Sequence, residues 1–298
     1  MAAMLAKMTP GFSGAEIATA CNEAALRAAK LNRTCVTEAD LSWATERTGF
    51  GIERRAKIPP EDLRRTAVHE TGHALVAHLL APEAEPPVKI SIISRGAVGG
   101  YSLMGETNRT YHTEARLRAE ICVLLGGRAA EEQVLGFASS GAFDDLKRAT
   151  GLARAMVESL GYGKRTGLLS MSGAGGALMG GGGGGGGAGG APEVSQATLR
   201  MLEEEAQAIL AAEYARAKAL LGRHRRALNA LVEVLLEKEV VHEPDIARCF
   251  GPRPAPPVAA GEAPTAAVVA AAEKDKGRKG ETKQQKKGWE VPLWIPTL

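Results

Sequence analysis

A helix tolerates ionisable groups on an inward face only where partners meet them, and residues 64–80, RRTAVHETGHALVAHLL, set three such groups within five positions. Leu63, Ala67, Val68, Leu75, Val76, Leu79 and Leu80 recur at helical intervals from Asp62 to about Leu80, and APEAEPP ends the pattern. His69, Glu70 and His73 stand in the middle of this apolar stretch. A fold that buries the helix must therefore assemble a polar centre against it.

Positions four apart on a helix differ by about 40° around the axis, so His69 and His73 present their imidazoles side by side, one turn apart. Such a pair can grip one Zn2+ at about 2.0–2.1 Å from each nitrogen. Glu70, about 100° round from His69, is placed to handle a proton beside the ion without ligating it. Zinc acidifies water and polarises carbonyls, and a neighbouring carboxylate can take the proton of the attacking water and pass it to a leaving amine. The spacing thus reads as metal-assisted peptide hydrolysis, with His69 and His73 as metal ligands and Glu70 as general base and later acid. Catalytic zinc takes a third protein ligand and keeps a fourth position open. The longer pattern H-E-x-x-H-x-x-G-x-x-H is not continued, because Val76 and Leu79 occupy the later Gly and His positions. His78 faces roughly the opposite side and is expected to be a structural or surface histidine. The third ligand must come from further along, and Glu114, Glu120, Glu131, Glu132, Asp144 and Asp145 all qualify by residue type.

The rest of the chain organises around this segment as a mainly α protein. Ser13 with Glu16 marks a helix start ahead of GAEIATACNEAALRAAKLN, and Thr37 ahead of EADLSWATER repeats the signal, giving a small helical unit over 1–48. GFGIERRAKIPPED reads as a linker over 49–61, and a helical domain follows over 62–252. Within it, VKISIISRG is β-branched and alternating, with GGYSLMG as its hairpin partner. Helices are expected at about 113–134 and 144–159, and two long ones between Ser195 and Val241, with GRHRR (222–226) on a solvated helix face. Residues 173–192 include eight consecutive glycines, Gly180–Gly187, and read as a disordered surface loop. No strand precedes that run and no GK[ST] follows it, so its G-x-G-x-x-G match carries no phosphate-binding reading. From residue 253 Pro, Ala and Lys dominate, the composition of a disordered tail.

Charge and cysteine usage exclude other classes. The net charge is +3 over 298 residues, but residues 274–287 alone carry +5, which leaves the remainder at −2 and gives nucleic-acid binding no support. Cys21, Cys35, Cys122 and Cys249 are scattered without a C-x-x-C pair and are expected to be buried thiols of a reducing compartment. No stretch approaches the roughly 20 apolar residues of a spanning helix, so no transmembrane segment is expected.

HETGHALVAHLL, VKISIISRG, LLGGRAAEEQVLG and SSGAFDDLKRAT, in this order, resemble the zinc protease domain of the FtsH family of ATP-dependent proteases. TPGFSGAEIATACNEAALRAA resembles the last helices of the ATPase lid that precedes that domain. The resemblance covers roughly residues 9–253 and implies a helical zinc peptidase domain with a small β-hairpin or sheet, preceded by a remnant of an AAA lid. It implies one Zn2+ per chain, with Asp145 and not Asp144 completing the ligand set of His69 and His73, and Glu131 supporting the site without ligation. A carboxylate in the first turn of a helix is chemically suited to that task. The resemblance further implies an endopeptidase acting on unfolded or membrane-extracted polypeptides, in a homo- or hetero-hexamer with full-length AAA protease subunits. ACNEAAL and LLEKEVVHEPDIARCFGPRP are most similar to the mitochondrial matrix-facing m-AAA branch, which implies the inner membrane; plastid relatives keep the chloroplast thylakoid as the alternative.

The chain also departs from that family. It has no G-x-x-x-x-G-K-[ST] and no acidic strand end for magnesium, so ATP is expected to act only through an ATPase domain outside these residues, although Gly14 and Ala15 match lid positions that approach nucleotide. The expectation is a fragment, or a protease unit working beside full-length subunits. The alternative is a non-catalytic or partner-dependent assembly subunit; a purely structural metal domain would leave Glu70 without a task. Substrate is expected to add as a strand to an exposed edge of VKISIISRG.

Overall fold

Two capping boxes start the first two helices. Ser13 and Thr37 each accept the N3 backbone N–H, while Glu16 and Asp40 reach back to the cap, beginning α1 (Gly14–Lys30) and α2 (Glu38–Phe50). Hydrogen bonds from Thr37, with Arg33 2.9 Å away, hold the Asp40 carboxyl at about 2. The computed structural model that shows this describes residues 5–254 apart from 7, 10, 54–57, 97–98, 106–110, 169 and 171–194, all within the unit Met1–Ala255. The glycine-rich loop expected over 173–192 and residues 255–298 of the expected tail lie outside the described residues.

α1 buries the narrow stripe Ala20, Ala24 and Ala28, and Ala24 packs with Leu41 and Ala44 of α2. Cys21 falls outside that stripe and is exposed, as is Cys35 in the turn between the helices; only Cys122 is fully buried, which pushes its thiol up to about 12, and Cys249 is half-buried. The expectation of four buried thiols therefore fails for the two in this thin, two-helix unit. α2 runs two residues past the expected boundary at 48 and ends at Gly51, whose φ of 91° suits glycine. Its last turns dock on the sheet. Glu46, 7% exposed, pairs with Lys89 and, at 2.9 Å, with Arg95, and Phe50 stacks on Tyr101 with ring centroids 4.2 Å apart.

α3 (Pro60–Leu79) begins two residues before the expected Asp62, with proline in its first turn, where a missing N–H costs nothing. Every residue from Ala67 to His78 is buried. A three-stranded antiparallel sheet follows: β1 (Pro87–Ser91), β2 (Tyr101–Met104) and a third strand, β3 (Val240–His242), in the order β2-β1-β3. β1 is therefore the central strand, paired on both sides, and the expectation that its edge is open to substrate is wrong. β3 escaped the sequence reading because three residues are too short to show alternation.

α4 (Glu114–Leu135) starts at the Thr113 cap and stops at the left-handed Gly136. A 3-10 turn, Ser140–Ala142, leads into α5 (Phe143–Glu158), and α6 (Gln196–Arg223), α7 (Arg225–Lys238) and α8 (Glu243–Phe250) complete the order. GRHRR is not one helix face: the chain turns at His224 between α6 and α7, and Arg225 reaches the carbonyl of Gln133. Arg253 belongs to the fold and not to a tail, because its guanidinium bonds the carbonyls of Ala77 in the last turn of α3 and of Ala84 in the turn after it. Among the described residues no helix is long and apolar enough to cross a membrane.

α4 lies at the middle of the packing. One side shares a core with α3, β1 and α7, built from Val68, Leu75, Ile90, Leu231 and Leu235; the other packs Leu117 and Ile121 against Met156 of α5 and Ile209 of α6. Glycine sets the α3–α4 spacing, since a Cβ on Gly72 would lie 2.6 Å from both the Gly126 carbonyl oxygen and Ala130 Cβ. Gly72→Ala is expected to destabilise the protein by roughly 1–3 kcal/mol through overpacking. Gly151→Ala on α5, where nothing lies within 4 Å of an added Cβ, is expected to stabilise it by about 0.5–1 kcal/mol. Urea unfolding midpoints of the two variants measure both effects, and a neutral Gly72→Ala would remove the spacing argument.

Candidate metal centre

The polar centre that α3 requires is supplied by α4, by the turn after it and by the first turn of α5. His69 Nδ1 donates to Glu131 Oε1 at 2.7 Å, and His73 Nδ1 donates to the Val123 carbonyl at 2.7 Å. With both Nδ1 atoms so engaged, the two Nε2 atoms turn toward each other, 3.0 Å apart. Asp145 Oδ2 completes the triangle, 3.1 Å from His69 Nε2 and 3.4 Å from His73 Nε2. Among the described residues these three form the one group of potential metal-ligating side chains, with ligand atoms all within 4.8 Å of one another.

Three lone-pair-bearing atoms at such distances repel one another unless positive charge lies among them. The titration behaviour reflects that demand. Burial disfavours a proton on His69, but hydrogen bonding to Asp145 and Glu131 and the charge of Glu70 outweigh it and raise its pKa to about 10. Burial likewise raises the Asp145 carboxyl, yet the bonds with His69 and His73 hold it well below the ordinary carboxylate range.

The residues fit a zinc ion. Two ligands each about 2.0–2.1 Å from Zn2+ at a tetrahedral angle stand roughly 3.3–3.4 Å apart, close to the observed edges, and two imidazoles with one carboxylate are a donor set zinc accepts. Hydrogen bonding of both Nδ1 atoms to oxygen is the arrangement that orients metal-binding histidines. Room for the rings comes from Gly127, where a Cβ would sit 2.5 Å from His73 Nε2 and 2.6 Å from His69 Cε1.

Glu131, fully buried, does not point a free oxygen at the triangle. Its Oε1 accepts from His69 and from Ser139 Oγ at 3.0 Å, and its Oε2 accepts from the Ser139 N–H at 2.5 Å. It thereby ties the first histidine to the turn that delivers Asp145. The other candidates are elsewhere: Glu114 pairs with Arg118, Glu132 with Lys218, Asp144 is exposed, and Glu120 sits half-buried on α4 outside the cluster. His78 is buried edge-on against Phe250, so the surface option for it is excluded. Glu70, 8% exposed, lies beside the triangle with Oε2 accepting from Ser102 Oγ of β2 at 2.8 Å.

Sequence reasoning missed Gly126, Gly127, Ser139 and Ser102. A signal existed for the glycines alone: a Gly-Gly pair inside LLGGRAAEEQVLG costs about 1 kcal/mol per residue relative to alanine in a helix, which asks for a packing reason. Gly127→Ala is expected to abolish zinc binding while leaving far-UV circular dichroism unchanged. Glu131→Gln, which removes the charge opposite His69, is expected to weaken zinc binding by roughly 10–100-fold in a chelator competition.

Residues 56–249 match the family model described as peptidase family M41, and residues 3–43 match that of the AAA+ lid domain. The chain is 38% identical over 253 residues to an "ATP-dependent zinc metalloprotease FtsH" of Parabacteroides distasonis, covering 85% of this chain and 36% of that protein. It is 41% identical over 241 residues to FtsH 1 of Sorangium cellulosum, covering 80% and 38%, and 39% identical over 249 residues to FtsH 2 of Symbiobacterium thermophilum, covering 83% and 40%. The chain thus spans well under half the length of the curated relatives it matches.

Proposed function

The chain belongs to peptidase family M41, and from that premise we propose that it is a zinc metalloendopeptidase that hydrolyses peptide bonds of unfolded or membrane-extracted polypeptides. The observation that carries the reading is the convergence of His69, His73 and Asp145 beside the carboxylate of Glu70. His69, His73 and Asp145 would hold one Zn2+, which when bound supplies a Lewis acid for the scissile carbonyl and lowers the pKa of water. The protein's own groups do the rest. Glu131 and the Val123 carbonyl fix the two imidazoles, and Glu70 takes a proton from the attacking water and returns it to the leaving amine nitrogen.

Substrate presentation follows from the sheet. β2 is an edge strand with no strand partner on its outer side among the described residues, and Ser102 sets it directly against Glu70. An extended polypeptide added there is held by its backbone, which makes few demands on side chains and gives broad specificity. This replaces β1 with β2 as the docking strand.

The lid match and the partial coverage of the FtsH relatives support a hexameric ring, homo- or hetero-meric, in which an ATPase domain delivers substrate to this peptidase unit. Within the family, ACNEAAL and LLEKEVVHEPDIARCFGPRP are what support the mitochondrial matrix-facing branch, with the thylakoid as the alternative. Fractionation of a tagged protein decides between the two organelles.

Glu70→Gln is expected to keep the zinc content of the wild type and to lose at least about 100-fold in hydrolysis of unfolded casein, the range of a general base. Equal activity of the two proteins would remove the enzyme reading. Zinc binding without turnover in the wild type, restored by adding full-length ATPase-bearing subunits, would favour the partner-dependent assembly role.

A further inference from the structure

We propose that Ser102 is a positioning residue for Glu70, an inference that rests on the metalloendopeptidase reading above. Ser102 Oγ lies 2.8 Å from Glu70 Oε2 and 3.0 Å from the backbone carbonyl of the same glutamate. One hydroxyl is therefore wedged between the head group and the main chain of a single residue. A glutamate side chain has three rotatable bonds, and a charge-assisted hydrogen bond of this length restricts all of them at once. The carboxylate so held keeps further acceptor lone pairs with which to meet the reacting water.

The surrounding backbone is built for the approach. A Cβ on Gly100 would lie 2.5 Å from Thr66 Cγ2, 2.8 Å from the Ser91 carbonyl oxygen and 3.3 Å from Glu70 Cγ, so the chain entering β2 comes against α3 only because residue 100 has no side chain. Register against β1 pairs Ser102 with Ile90, a residue with no exposed surface, which fixes the height of the hydroxyl along α3. Strand alternation sends the neighbouring Tyr101 to the opposite face, where its ring stacks on Phe50 of α2. β2 is thus held from both faces, and the hydroxyl that orients the general base is carried on the strand to which substrate would add.

The test compares the full 298-residue chain as wild type, Ser102→Ala, Ser102→Thr and Glu70→Gln. Zinc content, kcat and KM on unfolded casein are measured, together with crystal structures of the wild type and both Ser102 variants. Ser102→Ala is expected to keep its zinc and its KM and to lose roughly tenfold in kcat, the scale of one hydrogen bond to a charged group. Ser102→Thr, which keeps the hydroxyl, is expected to stay within about twofold of the wild type on the same scale. In the crystals the Glu70 carboxylate should leave its place over β2 in the alanine variant and keep it in the threonine variant. Wild-type kcat in Ser102→Ala, equal impairment of both variants, or loss of zinc from the alanine variant would each overturn the assignment. If the wild type and Glu70→Gln are equally inactive even with full-length ATPase-bearing subunits added, the peptidase reading fails, and the crystals alone decide: an unmoved Glu70 carboxylate in Ser102→Ala overturns the positioning role.

Discussion

The close approach of α3 and α4 at Gly72 and Gly126 is the constraint on which the rest of this structure depends. Side-chain-free backbone on both helices lets the Gly72 turn settle against the Gly126 carbonyl, and the next residue, Gly127, leaves the volume that the two imidazoles fill. Had either helix carried a methyl group there, the axes would separate and the polar face of α3 would lose the partners that make its burial tolerable. Close packing and chemistry are thus the same contact: α4 buries the apolar flank of α3 and supplies Val123 and Glu131 to its histidines.

Glu131 extends that contact to the third corner of the site. Its two oxygens accept from His69, from the Ser139 hydroxyl and from the Ser139 N–H, so one buried carboxylate both orients a ring and anchors the turn before α5. Asp145 follows within the first turn of that helix, where the helix dipole favours negative charge. Burial raises the Glu131 carboxyl, but the bonds from His69 and Ser139 outweigh it and keep it below the usual range, as an acceptor that must stay ionised requires. Both imidazoles of the triangle are therefore held by groups outside it, and Asp145 is brought to them by the turn that Glu131 anchors.

The sheet joins this centre to the N-terminal helical unit. Glu46, Lys89 and Arg95 form a buried ionic group beneath β1, and Phe50 covers Tyr101 of β2. Buried ion pairs contribute little net stability, because desolvation offsets most of their attraction, but a mispaired arrangement is heavily penalised. The consequence is a defined seat for α2 on the strands whose other face meets Glu70.

Local rules were enough for some of this protein. Thr37 and Asp40 cap α2 through neighbours three residues apart, and His69, Glu70 and His73 share a face because of helical periodicity; such features involve contacts within a single turn and are legible in the chain. The resemblance to a known family pointed to Asp145 and Glu131, which spacing alone left among six carboxylates. Tertiary structure decided what depends on partners far apart in sequence. It placed β3, only three residues long, beside β1, and so left β2 and β3 as the edges of the sheet; it exposed Cys21 and Cys35 because a two-helix unit has little interior; and it set Ser102 against Glu70, 32 residues away. A hydroxyl in a four-residue strand has no signature of its own, since its meaning lies wholly in which helix the sheet is pressed against.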